Sequence, residues 1–398
     1  KRTNEKTVLE DDNMNIVIFD DKIGGHHLEY VHHLYEMALS RPDHRFIFVI
    51  PDLFYDVNDK FQWINATNIT FDLIPREKVS NKEGSIIHSI RKSATIAKLV
   101  NKYCKKHSAD IVFMTSIMTI IPASLFYFNS KVKISGIIYQ IYLYRDSKSS
   151  LLLKMMDRIK YVVLSKKRTF AFVFILNDES SAKKLNSIYK TDKFKYLTDP
   201  YISLKEENID IRRYYNIPDD HKLLIHIGSL ERRKGTLVVL DSILKLPQED
   251  RCKYTFFFAG RVDKDIKVEF YEIINAIEDV NVVVKDEFCS YGFFASLCKV
   301  ADAILLPYLL DSASSGIIGY ASQFNTPVIA TSTGLIGELV KEYNLGHLLP
   351  TVNASSLIYA YYQLDKGLLN KPDNTYCSTH TVDKFNEAIV DIIDCNYR

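Results

Sequence analysis

The chain has 398 residues, of which 47% are hydrophobic and 25% charged, a composition typical of a soluble globular protein large enough for two domains. Its net charge of +2 gives no electrostatic drive toward nucleic acid, and its six cysteines form no CxxC pair that would indicate a zinc site. No apolar run approaches the roughly 20 residues of a membrane-spanning helix. Residues 1–13 are polar, unlike a signal peptide, so we expect a flexible extension on a cytoplasmic protein.

The first half of the sequence alternates between strand and helix patterns. Asn15–Phe19 has the apolar pattern of a buried strand, Gly24 and Gly25 follow it, and a helix begins at His26. Further strands are predicted at Arg45–Pro51, Ile69–Ile74, residues 109–115, residues 133–142 and Phe170–Leu176. Strand, glycine turn and helix are typical of a nucleotide-binding α/β domain, but the turn lacks the GxGxxG fingerprint of dinucleotide sites.

Four histidines lie in the first predicted helix. His26 and His27 follow the glycine turn directly, so we treat them as candidate site residues. His32 and His33 are interpreted as ordinary helix residues, because no carboxylate-supported metal spacing accompanies them. The DxD triplet at residues 263–265 is interpreted as a solvated loop, and no metal is predicted.

Residues 151–170 mix apolar side chains with lysines and arginines at helical spacing. This pattern predicts a basic amphipathic helix. A surface helix with a solvated basic face is the favoured interpretation. The alternative is a helix that docks on an anionic membrane surface, at the inner face of the membrane.

The alternation breaks near residue 199, where a polar and charged stretch begins. We therefore predict an N-terminal domain at residues 14–199, a C-terminal domain at residues 200–375, and a final segment at residues 376–398 that contains an amphipathic helix. The second domain resumes with strand patterns at residues 223–227, Tyr254–Ala259 and residues 280–284. Strands that alternate with helices predict a parallel sheet in each domain.

Two loops of the second domain carry candidate anion sites. In GSLERRKG, residues 228–235, Arg233 and Lys234 precede a helix, where cationic groups beside free N–H groups can bind a diphosphate. Further on, Ser314, Ser315 and Gly316 lie between an apolar strand and a helix. A helix start at the carboxyl edge of a parallel sheet favours an anion, although an ordinary loop explains the same pattern.

At this point the sequence resembles the family 4 retaining glycosyltransferases of the GT-B fold. Four motifs carry the resemblance: HIGSLERRKGTLVVLDSI (residues 226–243), FFFAGRVD (256–263), ADAILLPY (301–308) and SSGIIGYASQFNTPVIATSTGLIGELV (314–340). GGHHLEYVHHL, residues 24–34, is similar to the family's N-terminal glycine loop. The resemblance implies two Rossmann-like parallel-sheet domains that face each other across a cleft, with the last helix crossing back to the N-terminal domain.

The resemblance also implies roles for particular residues. Lys234 falls on the lysine that holds the donor diphosphate, and the glycine loop at Gly24 and Gly25 would close over that diphosphate. The other donor-side candidates are Gly228, Ser229, Arg233, Gly260, Arg261, Ser312, Ser314, Ser315, Gly316 and Tyr320. The acceptor-side candidates are His26, His27, Tyr139 and Gln140.

The chain departs from the family at three points of this motif set. Ser229 stands where the family has an arginine, and Ser312 and Tyr320 stand where it has two glutamates. Asp311 is adjacent to the first glutamate position and could supply a carboxylate. We therefore predict Asp311, Arg233 and Lys234 as the catalytic residues.

The resemblance implies a nucleotide-sugar-dependent hexosyltransferase that acts with retention on a hydroxyl of a glycan or lipid-linked glycan, in surface polysaccharide or glycoconjugate synthesis. Neither a metal nor another cofactor is implied. One alternative is a non-catalytic GT-B subunit that binds a glycan or a partner protein, which Ser312 and Tyr320 favour. Another is a nucleotide-sugar epimerase, for which His26, His27 and Asp311 are the candidate groups. The sequence carries no signal for an oligomeric state.

Overall fold

The computed structural model describes residues 13–22, 26–56, 61–75, 86–121, 123–128, 131–139, 141, 143, 151–309 and 315–395. The chain divides into two compact units. Unit 1 comprises Lys1–Tyr139, Lys148–Thr198 and Asp383–Arg398, and unit 2 comprises Gln140–Ser147 and Asp199–Val382. Each unit is built on its own parallel sheet.

The sheet of unit 1 has seven strands, all joined in parallel. They are β1 (Asn15–Phe19), β2 (Arg45–Pro51), β3 (Ile69–Ile74), β4 (Ile111–Met114), β5 (Lys133–Ile138), β6 (Phe170–Leu176) and β7 (Phe194–Leu197). Their order across the sheet is β3-β2-β1-β4-β5-β6-β7, so the direction of winding reverses between β1 and β4. The central strands β1, β2 and β4 are apolar and almost wholly buried, as expected for a sheet that is covered on both faces.

Six helices of the structure lie in unit 1. They are α1 (His26–Leu39), α2 (Ile86–Lys106), α3 (Ser124–Tyr127), α4 (Leu151–Lys166), α5 (Glu179–Tyr189) and, from the far end of the chain, α14 (Val382–Cys395). Helix α14 buries Phe385, Ile389 and Ile393 in the same apolar core as Tyr30 and Leu34 of α1. The last helix is therefore part of the N-terminal unit, as the fold prediction required.

The sheet of unit 2 has six parallel strands. They are β8 (Lys222–Ile227), β9 (Tyr254–Ala259), β10 (Asn281–Lys285), β11 (Ala303–Leu306), β12 (Val328–Thr331) and β13 (Gly346–Leu349). The order β10-β9-β8-β11-β12-β13 reverses between β8 and β11. Successive residues of β8 alternate between two apolar cores, with Leu223 and Ile225 in one and Leu224 in the other.

The helices of unit 2 cover both faces of this sheet. They are α6 (Ile211–Tyr214), α7 (Thr236–Leu244), α8 (Lys267–Ala276), α9 (Tyr291–Val300), α10 (Ile317–Phe324), α11 (Gly334–Glu342), α12 (Ala354–Asp365) and α13 (Thr375–Thr379). Helices α9, α10 and α11 contribute to one core, and α7, α8 and α12 contribute to the other.

The prediction of two Rossmann-like parallel-sheet domains is confirmed. The strands expected at Asn15–Phe19, Arg45–Pro51, Ile69–Ile74, Phe170–Leu176 and Tyr254–Ala259 have the same bounds in the structure. Within the described part of the chain, no helix is both long enough and apolar enough to pass through a bilayer.

Candidate functional site

The candidate site of unit 2 is built at the carboxyl ends of three neighbouring strands. The loop of residues 228–235 follows β8, Gly260 follows β9, and Pro307 and Tyr308 follow β11. Strands β8 and β11 are the pair at which the strand order reverses. Ligands of open α/β sheets bind outside the strand ends at this reversal.

Two glycines allow these loops to stack closely. A Cβ atom on Gly260 would lie 1.9 Å from the carbonyl oxygen of Gly228, and one on Gly235 would lie 2.0 Å from that of Pro307. Both glycines also have positive φ values, +134° and +74°. The stacked loops are joined by a hydrogen bond of 2.9 Å from the Leu230 N–H to the Arg261 carbonyl. Gly260 and the Arg261 backbone thus shape the site, while the Arg261 side chain is exposed.

Lys234 is the most perturbed cation of this loop. Its Nζ lies 3.1 Å from the position that a Cβ on Gly228 would occupy and 5.8 Å from the ring centre of Tyr308. Burial, followed by the charge of Arg233, lowers the pKa of Lys234 to about 8, and Glu231 opposes the shift. No hydrogen bond or ion pair joins Nζ to any residue that the structure describes. A desolvated cation of this kind is suited to receive an anionic ligand.

Glu231 organises the outer part of the same loop. Its carboxylate contacts Nε of Arg233 and accepts a hydrogen bond of 2.5 Å from the Ser229 hydroxyl. Arg233 is therefore ion-paired and half exposed, whereas the neighbouring Lys234 has no ion-pair partner in the described part of the chain. Sequence reasoning singled out Ser229, Arg233 and Lys234 but missed Glu231, although it stands in the same motif.

His226 and Thr236 form hydrogen bonds at the base of the loop of residues 228–235. The Nδ1 atom of His226 lies 2.9 Å from the Leu305 carbonyl oxygen, and Nε2 lies 3.0 Å from the Thr236 hydroxyl. Because a carbonyl only accepts, Nδ1 carries the proton in the neutral ring. Burial lowers the pKa of His226 to about 4, so the ring is neutral near pH 7. This pair connects β8, β11 and the start of α7 beneath the cations.

The start of α10 offers open space in front of its first turn. Gly316 has an ordinary φ of −58°, and a Cβ built on it would meet no atom of the described residues within 4 Å. Neither backbone strain nor packing against the described residues of unit 2 therefore requires a glycine there. The preceding Ser315 is buried, with its hydroxyl 3.2 Å from that of Tyr308. A helix N-terminus that faces open space favours a bound anion.

Tyr320 stands one turn further along α10, at a position where the resemblance expects a glutamate. Its ring centre lies 5.8 Å from that of Tyr201. Tyr201 packs so closely on α10 that a Cβ on Gly319 would lie 2.1 Å from its ring. The phenol of Tyr201 contacts the side-chain oxygen of Gln323. Tyr320 thus forms an aromatic pair with Tyr201, which packs on α10.

Several of the candidate residues lie outside the described part of the chain: Gly24, Gly25, Gln140, Asp311, Ser312 and Ser314. The roles proposed for these residues stay predictions. Of the remaining acceptor-side candidates, His26 begins α1, and Tyr139 lies 6.2 Å from His27 between ring centres. Those three residues belong to unit 1.

One group in the described residues could hold a metal ion. The side-chain ligand atoms of His32, His33 and Glu36 on α1 lie within 4.8 Å of one another. The His32 ring also stacks on Phe61 at 4.4 Å, which gives it a packing role. The interpretation of both histidines as ordinary helix residues and the absence of a metal from the mechanism stay predictions.

Comparison with known proteins identifies one matching family model and one curated relative. Residues 207–366 match the family model described as glycosyl transferases group 1. A curated relative, an uncharacterized glycosyltransferase of Methanocaldococcus jannaschii, is 25% identical over 137 residues, or 34% of this chain. The match spans about a third of that relative's length (34%).

Solved structures resemble the chain over almost its whole length. Anabaena HepE in complex with UDP has a TM-score of 0.68 at 14% identity, with 96% of this chain and 100% of that chain covered. WaaG, a glycosyltransferase involved in lipopolysaccharide biosynthesis, has a TM-score of 0.63 at 15% identity, with 96% and 99% covered. The chain therefore has the GT-B fold of these structures, and its residues 207–366 match the glycosyl transferases group 1 model.

Proposed function

We propose that the protein is a retaining glycosyltransferase of family 4 that moves a hexose from a nucleotide sugar to a hydroxyl of a glycan or lipid-linked glycan. The observation that carries the proposal is the Lys234 ammonium group, which is partly buried beside Gly228 and has no ion-pair partner among the described residues. A diphosphate is the ligand that would neutralise it.

In this proposal unit 2 stabilises the departing nucleoside diphosphate. Lys234 and Arg233 would neutralise its developing charge, and the start of α10 at Gly316 would add N–H groups and the positive end of the helix dipole. The open space at Gly316 supports a close approach of the ligand to that backbone. Asp311 is the carboxylate proposed near the donor sugar, and retention is proposed from the resemblance alone.

A uridine nucleotide is the donor class with the best support. The Anabaena HepE structure that resembles this chain holds UDP. Because fold similarity at 14% identity does not fix a base, the donor must be found by screening. WaaG, named for lipopolysaccharide biosynthesis, supports the proposal of a surface polysaccharide or glycoconjugate as the product.

The test is a panel of nucleotide sugars, with nucleoside diphosphate release and thermal shift as the measurements. We expect one donor to stabilise the protein and Lys234→Ala to weaken its binding by about 1.5–3 kcal/mol, the range for a hydrogen bond to a charged group. Lys245→Ala is the matched control, because Lys245 directly follows α7, is exposed and is paired with Asp241 at 2.8 Å. Unchanged donor affinity in Lys234→Ala would remove Lys234 from the site.

The same panel separates the two alternative functions. A non-catalytic subunit would release no nucleoside diphosphate from any donor. An epimerase would return a nucleotide sugar whose sugar had changed, without transfer to an acceptor. Release that depends on an added acceptor supports the transferase.

Helix α4 supports the proposal of a peripheral membrane contact at the cytoplasmic face. Met155, Ile159 and Val162 are exposed at helical spacing, and Lys154 and Arg158 lie among them in the sequence. An apolar stripe beside basic residues suits an anionic bilayer surface. The test is co-sedimentation with phosphatidylglycerol vesicles. We expect replacement of the three apolar residues by serine to abolish binding, whereas Ile188→Ser, at an exposed position of α5, should not.

A further inference from the structure

Helix α1 carries three metal-ligating side chains on one side. Glu36 follows His32 by four residues and His33 by three, so the three side chains meet one turn apart on the helix surface. Nδ1 of His32 and Nδ1 of His33 each lie 3.8 Å from Oε2 of Glu36. The ligand atoms of the group all lie within 4.8 Å of one another. None of the three residues is among the donor-side or acceptor-side candidates.

His33 supplies a buried nitrogen that has no hydrogen-bond partner among the described residues. This atom is Nδ1, and the side chain that carries it is only 4% exposed. The Glu36 oxygen at 3.8 Å is beyond hydrogen-bond distance. Buried polar atoms without a partner are rare in folded proteins, because they lose their hydrogen bond to water and gain none in return. The position of this nitrogen beside Glu36 indicates a ligand that the side chains share.

The surroundings of His32 hold its ring in place. The ring stacks on Phe61 with centres 4.4 Å apart and lies at right angles to Trp63 at 5.1 Å. Its Nε2 lies 3.3 Å from the carbonyl oxygen of Gln62. Because a carbonyl only accepts, Nε2 carries the proton, which leaves a lone pair on Nδ1, the atom nearer to Glu36. Metal-binding histidines are commonly oriented by such a carbonyl on the other ring nitrogen.

Two other histidine–carboxylate contacts in unit 1 show what distinguishes this group. Nδ1 of His27 lies 2.8 Å from Oδ2 of Asp20, which follows β1, and Nε2 of His107 lies 2.6 Å from Oδ2 of Asp72. In both contacts the carboxylate is hydrogen-bonded directly to the ring. The Glu36 carboxylate instead stays 3.8 Å from two imidazoles and is hydrogen-bonded to neither. The wider spacing leaves room for an ion between the side chains.

We propose that His32, His33 and Glu36 bind one Zn²⁺ ion through the two Nδ1 atoms and a carboxylate oxygen. Bonds of about 2.0–2.1 Å in a tetrahedron place the ligand atoms about 3.4 Å apart. The distances of 3.8 Å are close to this spacing, and Glu36 is 48% exposed and has room to move. The ligand atoms of the two rings, within 4.8 Å of each other, must also approach. Two imidazoles and a carboxylate are a ligand set that Zn²⁺ accepts, with water in the fourth position.

The ion has a structural role and stands apart from the proposed transfer reaction. It fixes the His32 ring against Phe61 and Trp63, and so ties α1 to the segment that leads into β3. The proposal departs from the sequence-based interpretation of both histidines as ordinary helix residues. That interpretation rested on the lack of a supporting carboxylate, and Glu36 supplies one at helical spacing.

The experiment titrates ZnCl2 into the metal-free full chain without any nucleotide sugar. Calorimetry measures the stoichiometry, and we expect one Zn²⁺ per chain. At free Zn²⁺ about 100-fold above Kd, the melting temperature of unit 1 should rise by about 5–10 °C, because the ion binds the folded chain. EDTA should reverse the rise.

Glu36→Gln tests the ligand role of the carboxylate. The position is half exposed, so the variant should fold, and we expect Zn²⁺ binding to weaken at least about 100-fold, since loss of a group that only orients a ligand already costs about 10–100-fold. Glu36→His keeps a ligand atom at this position without the charge and should retain binding. Glu179→Gln is the matched control, because Glu179 lies on α5 of the same unit, is exposed and is paired with Lys183 at 2.9 Å.

The outcomes separate ligation from a general effect of charge. Equal weakening in Glu36→Gln and Glu179→Gln would overturn the site, as would a Glu36→His variant that binds no better than Glu36→Gln. A wild-type chain that binds no stoichiometric Zn²⁺ overturns it outright. None of these results bears on the proposed function, because donor binding and its loss in Lys234→Ala are measured separately.

Discussion

The carboxyl edges of the two sheets use opposite chemistry on the same topology. In unit 2 the edge presents Lys234 and Arg233 over tightly stacked glycine loops. In unit 1 the edge presents Asp20, Asp21 and His27, and thus carboxyl groups and an imidazole. One edge is basic, and the other carries carboxyl groups and an imidazole.

Each edge has a carboxylate that orients a functional side chain, but the two carboxylates differ in burial. Asp20 has no exposed side-chain surface and holds His27 and the Lys22 N–H. Glu231 is 24% exposed and holds Arg233 and Ser229. A buried carboxylate fixes its partner in one geometry, whereas a partly exposed one leaves the arginine free to exchange Glu231 for a ligand. The comparison indicates a rigidly held imidazole in unit 1 and an adaptable cation in unit 2.

The largest change in stability is expected for a substitution at the point where the glycine loops of unit 2 stack. Gly260→Ala should lower the free energy of unfolding by about 3–5 kcal/mol, because its Cβ would overlap the Gly228 carbonyl and its backbone has a positive φ. Urea denaturation measures this change. Gly316→Ala is the control and should change stability by no more than about 1 kcal/mol, because its Cβ meets open space. Equal losses in both variants would contradict the assigned difference between these glycines.

The next largest change concerns the pH dependence of the free energy of unfolding, which follows from the desolvated ammonium group of Lys234. Folding lowers the pKa of Lys234 from 10.5 to about 8, so between these values the unfolded chain holds the proton and the folded chain does not. Stability from this group therefore rises with pH across that window and carries a penalty of up to about 3 kcal/mol below pH 8. Lys234→Met should be more stable than wild type below pH 8, with the advantage shrinking toward pH 10.5.

Denaturation of both proteins at pH 7.5 and pH 10 checks this dependence, and Lys245→Met is the exposed control. If the difference in the free energy of unfolding between wild type and Lys234→Met were the same at both pH values, the ammonium group would have no desolvation cost in the folded chain.

The smallest changes in stability are expected for Asp20 and Glu231, the two carboxylates that orient a functional side chain. Asp20→Ala should cost about 1–3 kcal/mol, because it leaves two donors without their acceptor in a buried place. Glu231→Ala should cost less than about 1 kcal/mol, since its partners are partly exposed. Thermal or urea denaturation of the pair measures the difference. If Glu231→Ala proved the more costly variant, the proposed contrast between the edges would be reversed.

The sheets could be predicted from the sequence because their signal is local. A buried parallel strand is a short apolar run, and Tyr254–Ala259 is read without knowledge of its neighbours. Strand β7 was missed, because Phe194–Leu197 has only four residues and two of them are lysine and tyrosine. Such a run carries too little apolar signal to stand out from a loop.

The sites were only partly predictable, because their contacts join distant segments. Lys234 and His27 were selected from motifs, but the Asp20 partner of His27 was not, since it precedes the glycine turn. Nothing local in the sequence shows that Gly260 is fixed by the Gly228 carbonyl while Gly316 faces open space. Side-chain pairing and close backbone approach depend on how the loops stack, which only the fold determines.

The placement of α14 sets the order in which the two units can complete their folding during synthesis. Phe385, Ile389 and Ile393 belong to the core of unit 1, yet they follow all of unit 2 in the chain. During synthesis unit 2 can bury its cores while unit 1 still lacks these side chains, so unit 1 must keep an apolar groove open until they arrive. A nascent chain halted before residue 385 should therefore need chaperone protection in its first half and not in its second.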